Sequence, residues 1–266
     1  MARHSTHLIE LVDGHVVKRF RSWSRGEQQR EWQALNLLAE FAPGLGPAPL
    51  GADLDANPPL IQMTRVPGEP LAGRPILPHH LDAITTTVNR LHACVPPDAL
   101  ARVPPHPWLA EGMTNHLRSL ASTPHPPHED PRIRVAFAAA LHWLNLAPEP
   151  AEPLTPVFGQ GDSNPANFLW DGKRLRLVDF EDSGRNDRAF ELAGLTEHVS
   201  VWYEAGIEAA VLLDRFELTA AESARVLFYR QGFSVFWLFL LRNRAASEPV
   251  LLRQAGHLLD LLATTH

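Results

Sequence analysis

Residues 158–180 read Phe-Gly-Gln-Gly-Asp-Ser-Asn-Pro-Ala-Asn-Phe-Leu-Trp-Asp-Gly-Lys-Arg-Leu-Arg-Leu-Val-Asp-Phe. Asp162 stands five residues before Asn167, and Asp179 follows twelve residues later, beyond two short apolar runs joined by Asp171-Gly172. An Asp-Gly pair between such runs predicts a β-hairpin, because both residues tolerate the positive φ of a tight turn. The hairpin returns the chain to its starting end, so the loops before and after it bring one amide and two carboxylates together. Magnesium takes hard oxygen ligands in octahedral geometry and keeps waters and substrate phosphates for the rest of its shell. Asn167 and Asp179 suit that ion, which leaves Asp162 to orient a hydroxyl and accept its proton.

That division of labour is the one used in γ-phosphoryl transfer, where the catalytic Asp lies five residues before a metal-binding Asn and a second metal-binding Asp lies beyond a hairpin. On these residues the chain resembles the aminoglycoside phosphotransferase and choline kinase family of kinase-like small-molecule phosphotransferases. The motifs concerned are Gln160-Gly161-Asp162, where the family usually opens with His, then Asn167 and Val178-Asp179-Phe180. Gly184 to Ala193 is similar to the family's helix start after the metal-binding Asp, and similarity runs from the N-terminal hairpin to about residue 200. The resemblance implies an α+β, two-lobed protein-kinase-like fold with a small antiparallel-sheet N-lobe and a mainly helical C-lobe. It also implies Mg2+, ATP or GTP as donor, and a hydroxyl-bearing small molecule as acceptor, with an aminoglycoside or another amine-bearing antibiotic or metabolite among the candidates. Asn164, two residues after Asp162, is expected either to touch substrate or to close the loop.

A kinase site also needs a cation against the α- and β-phosphates and a Glu to hold it. The chain has two lysines, Lys18 and Lys173, and Lys173 falls in the Asp171-Gly172 turn. Lys18 lies in His15-Val-Val-Lys-Arg-Phe20, where strand alternation puts Val16, Lys18 and Phe20 on one face. Val16 then occupies the place above the adenine in the kinase pattern. Glu27 and Glu31 share a helical stripe with Leu35 and Leu38, so either could meet the lysine; the resemblance favours Glu31. It also assigns backbone contacts with the purine to Thr64 and Val66. No glycine-rich phosphate cover precedes Lys18, which keeps a second reading open: a nucleotide-binding pseudokinase acting as a regulatory or partner-binding module.

Around these motifs the chain divides in two. A hairpin about Asp13-Gly14, a helix over residues 26–41 and strands at residues 47–50 and 60–63 precede a break at Val66-Pro67-Gly68, giving an N-terminal lobe of residues 1–66 and a C-terminal lobe of residues 67–266. Helices are expected over residues 81–94, 108–120 and 133–146 and through most of 188–262. Nine of the 24 prolines fall between Pro96 and Pro131, marking rigid, irregular flanks about the Trp108 helix. Asp187 is expected to cap the helix after it, and Glu191 to favour its first turn through the helix dipole.

At 266 residues and 45% hydrophobic, the chain can bury a sizeable core. A net charge of -6 argues against a nucleic-acid partner. Residues 1–66 balance 7 Lys+Arg against 7 Asp+Glu, so the C-terminal lobe holds the whole negative charge and mildly favours a cationic ligand. Phe233–Leu241 is too short to span a bilayer and reads as a buried core helix, so no membrane association is expected. One cysteine and no signal-peptide core point to the cytoplasm. His79-His80 and His125-Pro-Pro-His128 lack the spacing of a zinc site on a regular element.

Overall fold

Asp13-Gly14 turns the first hairpin as expected. The computed structural model describes residues 7–123, 128–147, 153–203, 206–244 and 246–264, and in it Leu8–Val12 (β1) pairs antiparallel with His15–Arg19 (β2). Glu27–Phe41 (α1) follows, then Pro49–Asp53 (β3) and Leu60–Thr64 (β4), which complete an antiparallel sheet in the order β1-β2-β4-β3. β3 begins and ends later than residues 47–50. It is an edge strand with a register irregularity between Pro49 and Gly51 and a largely exposed surface, so Asp53 needs no apolar face and reads locally as turn. α1 turns Glu27, Glu31, Leu35 and Leu38 inward together, so both acids of its stripe are buried.

Glu69–Pro70 (β5) leaves the sheet and pairs with a strand far along the chain, at a length no alternation pattern could reveal. Helices come next: Pro78–Cys94 (α2), Pro97–Leu100 (α3), Pro107–Glu111 (α4), Met113–Ala121 (α5) and Pro131–Leu146 (α6). The single helix expected over 108–120 is two, because Gly112 at φ 82 stops α4 in a conformation closed to other residues at low cost. His125 lies outside the described residues, while His80 caps the start of α2 by accepting the Leu77 N–H at 3.1 Å.

Pro156–Gly159 (β6), a 3-10 turn at Pro165–Asn167, Phe168–Trp170 (β7) and Leu175–Leu177 (β8) carry the central motifs. β5, β7 and β8 form one small sheet, and β6 pairs antiparallel with Gly184–Asp187 (β9). β9 occupies part of the span read as a helix start; Gly-Arg-Asn-Asp has no apolar alternation, and pairing with β6 makes it a strand. The remainder is helical: Arg188–Glu197 (α7), Val199–Tyr203 (α8), Ala209–Leu213 (α9), Ala220–Asn243 (α10) and Glu248–Ala263 (α11).

A continuous buried cluster runs from Phe20, Leu38 and Ile61 through Phe158 and Phe180 to Leu238 and Leu258. α10 packs on α7, α5 and α11. The expectation of a buried helix at 233–241 holds for one face only: Val235, Leu238, Phe239 and Leu241 are buried, while Phe233, Phe236, Trp237 and Leu240 are half-exposed to a cavity. Among the described residues no helix is long and apolar enough to cross a membrane.

Candidate active site

Lys18 is buried in the middle of β2, opposite Ile61 of β4. Its Nζ donates to Glu31 Oε2 at 2.6 Å, Asp179 Oδ1 at 2.6 Å and Glu181 Oε2 at 2.7 Å. Three contacts use all three ammonium protons. Burial disfavours this charge, but the carboxylates of Glu31, Asp179 and Glu181 outweigh it and hold Lys18 above the usual lysine range. Burial pushes Glu31 up, against the pull of Lys18. Glu27 is buried one turn away and receives the Arg25 N–H and Nε instead, so Glu31 is the partner the two candidates left open.

Glu31, Asp179 and Glu181 place carboxylate oxygens within 4.8 Å of one another, as a metal site would. Lys18 Nζ sits between them, so the trio cages an ammonium. His7 Nε2 closes the cage from outside, 2.6 Å from Glu181 Oε2. His7 carries no signal in the sequence, and Glu181 is visible there only as a departure, directly after Asp179-Phe180 where protein kinases carry Gly; its contact with Lys18 is not.

β6 delivers the chain into Gln160-Gly161-Asp162. Gly161 has φ +81, and a Cβ there would overlap the Asp182 carbonyl. The Gln160–Asp162 loop therefore lies directly against the loop that follows Asp179. Gln160 ties the two together, its Nε2 donating to the Val178 carbonyl at 2.6 Å. Glu191 of α7 accepts the N–H of Gln160 at 3.1 Å and of Gly161 at 3.2 Å, and also receives the Asn186 amide. Glu191 is thus the acceptor that fixes the loop, a role its place in the first turn of a helix does not disclose. Asp187 caps α7 by accepting the Ala189 N–H at 3.0 Å, and its other oxygen takes Arg225 and the Tyr229 hydroxyl.

Asp162 accepts the Asn164 N–H at 3.1 Å and the Asn167 Nδ2 at 2.9 Å. Burial, then the nearby carboxylates of Asp179 and Asp182, push it up to about 7. Asn167 sits at the end of the 3-10 turn, and its carbonyl receives the Val178 N–H at 3.0 Å, so its backbone is anchored next to Asp179. Asp179 has φ 65, a left-handed conformation that is costly for a residue with a Cβ and persists where the surroundings over-determine it. Asn164 closes the loop, its Oδ1 accepting the Ala166 N–H at 3.0 Å.

Val16 is half-buried on β2 opposite Met63. Thr64 ends β4, and its N–H already donates to the Ala48 carbonyl at 2.9 Å, so that donor is spent within the sheet. Val66 lies in the connection to β5, half-buried. Asn167 Oδ1 and the Asp179 carboxylate offer the hard oxygens that magnesium requires, and the Asp179 side chain is 39% exposed, open to an ion and its phosphates.

Beside Asp162 opens a cavity of about 320 Å³. Its inner end is formed by Asp162, Ser163 and Asp182, and its walls by rings from α4, α7 and α10. His106, just before α4, is buried between these parts. Its ring lies 5.0 Å from Phe190, and its Nδ1 accepts the Trp108 N–H at 3.2 Å.

Structures with this architecture are known. A choline/ethanolamine kinase family protein from Mesorhizobium loti superposes with a TM-score of 0.66 at 20% identity, covering 98% of this chain and 86% of that one. Choline kinase LicA from Streptococcus pneumoniae gives 0.64 at 16% identity, covering 100% and 92%. The aminoglycoside phosphotransferase APH(2")-IIia, solved with GDP and kanamycin, gives 0.66 at 18% identity, covering 100% and 93%. These likenesses establish the kinase-like fold. No curated protein matches the sequence. The APH model of the phosphotransferase enzyme family matches residues 6–227, and the chain belongs to that family of kinase-type phosphotransferases.

Proposed function

We propose that the protein transfers the γ-phosphoryl group of ATP or GTP to a hydroxyl of a small molecule. The observation that carries this reading is the Lys18 ion pair. It joins Glu31, 13 residues away, to Asp179, 161 residues away, and so connects the sheet to the catalytic loops at one point. Lys18, held by Glu31, presents its charge to the α- and β-phosphates, while Val16 and the backbone of Thr64 and Val66 border the purine. Asn167 and Asp179 hold Mg2+, which when bound neutralises charge developing on the phosphoryl oxygens. Asp162, raised to about 7 by burial and its acidic neighbours, accepts the acceptor's proton near neutral pH. The acceptor occupies the cavity beside it. A lone cysteine, half-buried and pushed up to about 11 by burial, suits a reducing compartment such as the cytoplasm.

The test is the thermal midpoint with and without Mg·ATP and Mg·GTP, in the natural chain and in Asp179→Ala. A nucleotide at a hundred times its Kd adds about 2.7 kcal/mol. A magnesium-dependent rise that Asp179→Ala abolishes supports the reading. No rise with either nucleotide overturns it.

A further inference from the structure

The reaction alone does not account for the residues along the outer cavity. α10 turns Phe233, Phe236, Trp237, Leu240 and Arg244 towards it, at offsets of three, four, seven and eleven that keep them on one helical face. Phe233 marks the inner end: a Cβ on Gly194 would meet its ring at 3.6 Å and Ser163 Oγ, next to Asp162, at 3.0 Å. Arg244 caps α10, about 16 Å further along the axis at 1.5 Å rise per residue. Between them the wall is aromatic. Trp108 meets Phe236 edge-on at 4.6 Å, and Phe236 meets Trp237 at 5.2 Å.

The charges around this wall are sorted by position. Three acids line the cavity among the described residues, and all belong to the catalytic end. Glu191 is occupied by the Gln160 and Gly161 N–H groups, and Asp182 faces Arg25 at 3.7 Å and Arg30 at 4.0 Å. Asp162 is reserved for the hydroxyl. No carboxylate remains along the wall for an ammonium, while Arg244 is exposed and its side chain has no hydrogen bond or ion pair with the described residues. The C-terminal lobe is acidic as a whole, but its charge is not gathered where an acceptor body would lie.

We propose that the acceptor is an amphipathic alcohol: an apolar, ring-containing body with the reactive hydroxyl at one end and a carboxylate at the other, gripped by the Arg244 guanidinium. The rings supply apolar and stacking contact, and the planar fork of an arginine matches a carboxylate in two bonds. The assignment rests on the phosphotransfer reading of Asp162 and replaces the amine-bearing acceptor that net charge suggested.

The test is calorimetric binding of two probes to the full chain: a biphenyl with a hydroxymethyl group at one end and a carboxylate at the other, and the same biphenyl with an ammonium in place of the carboxylate. Kanamycin serves as the polycationic comparison. The carboxylate probe is expected to bind roughly tenfold more tightly than the ammonium probe, with kanamycin weaker than either. Arg244→Glu should reverse the order of the two biphenyls, a gain that misfolding cannot imitate, and Arg244→Lys should retain part of the preference. Equal affinities, tighter binding of the ammonium probe or of kanamycin, no binding of either biphenyl, or an Arg244→Glu variant with unchanged preference would each overturn the proposal. Phosphate transfer from Mg·ATP and Mg·GTP to the carboxylate probe is measured in parallel. Selective binding without transfer overturns the acceptor assignment together with the phosphotransfer reading, whereas transfer without selectivity overturns this inference alone.

Discussion

The two ends of the cleft are built from different physics. At the end proposed to hold the phosphates, the buried Lys18 and Glu31 and the part-exposed Asp179 and Glu181 form a lattice of charges, with His7 against Glu181, at contacts of 2.6 to 2.7 Å. At the end proposed for the acceptor, rings from three helices wall a cavity whose charged side chains are Asp162, Asp182, Glu191 and Arg25 around its inner part and Arg244 at the end of α10. A charge lattice tolerates no missing member, because each buried ion relies on its partner to offset desolvation. An aromatic wall can be re-cut ring by ring. One end can therefore stay fixed while the other changes what it accepts.

The sharpest way to break that contrast is to remove the cation. Lys18→Met leaves Glu31 buried beside Asp179 and Glu181 with no counter-charge, and should lower stability by about 3–5 kcal/mol in denaturant unfolding. Adding Glu31→Gln should restore more than half of that loss. A single variant as stable as the natural chain would show that the cage does not bear on folding. Asp162→Asn, by contrast, should leave the fold and nucleotide binding close to unchanged while kcat falls about a thousandfold, the scale of lost general-base assistance. A fall in nucleotide affinity of similar size would move Asp162 from proton acceptor to the phosphate lattice.

His106 stands where the two ends meet, with Glu191 of the loop anchor on one side and Trp108 and Phe190 of the wall on the other. Burial holds it down to about 4 from 6.5; Glu191 pulls the other way, while Arg30, Arg25 and His116 add to the fall. Between those two values the unfolded chain binds the proton and the folded chain does not, so stability falls as pH drops through the window and levels off below it. The full contribution is up to about 3 kcal/mol. Asp162 and Glu31, both pushed up to about 7, stabilise the fold on acidification through the same window, and His198, held down to about 4 by burial, acts in the same sense as His106. The readout is therefore a difference: the thermal midpoint of the natural chain should fall with acidity relative to that of His106→Gln. Parallel pH profiles for the two chains would mean that His106 protonates without penalty.

How legible each end was in the sequence follows from how local it is. Asp162, Asn167 and Asp179 lie within 18 residues, on a loop, a 3-10 turn and a hairpin whose geometry the Asp-Gly turn enforces, so spacing alone brings them together. Lys18 stood out through lysine scarcity and strand alternation. Glu191 was read as a dipole-favoured acid because its function depends on β6 and β9 pairing to set Gln160 and Gly161 above α7, and β9 carries no strand pattern. The aromatic wall was harder still. Trp108, Phe190 and Phe233 come from helices far apart in sequence, and an inward-facing ring on α10 has the same signature as a core ring, so residues 233–241 read as buried throughout.

The smallest expected effect tests Gln160, which stands where the family resemblance places a histidine. Gln160 holds its own loop, which carries Asp162, to the Asp179 loop by donating Nε2 to the Val178 carbonyl at 2.6 Å, with its backbone N–H on Glu191. A histidine could make the same side-chain bond from a ring nitrogen, since a neutral imidazole carries one N–H donor. What the position requires is a buried donor aimed at a carbonyl, not imidazole chemistry. Gln160→His should therefore change kcat by no more than about threefold and leave the thermal midpoint nearly unmoved, while Gln160→Leu, which orphans that carbonyl, should cost about 1–3 kcal/mol. Were Gln160→His to raise turnover strongly, the imidazole would be acting on the reaction itself, and the charge lattice at the phosphate end would be incomplete as this chain carries it.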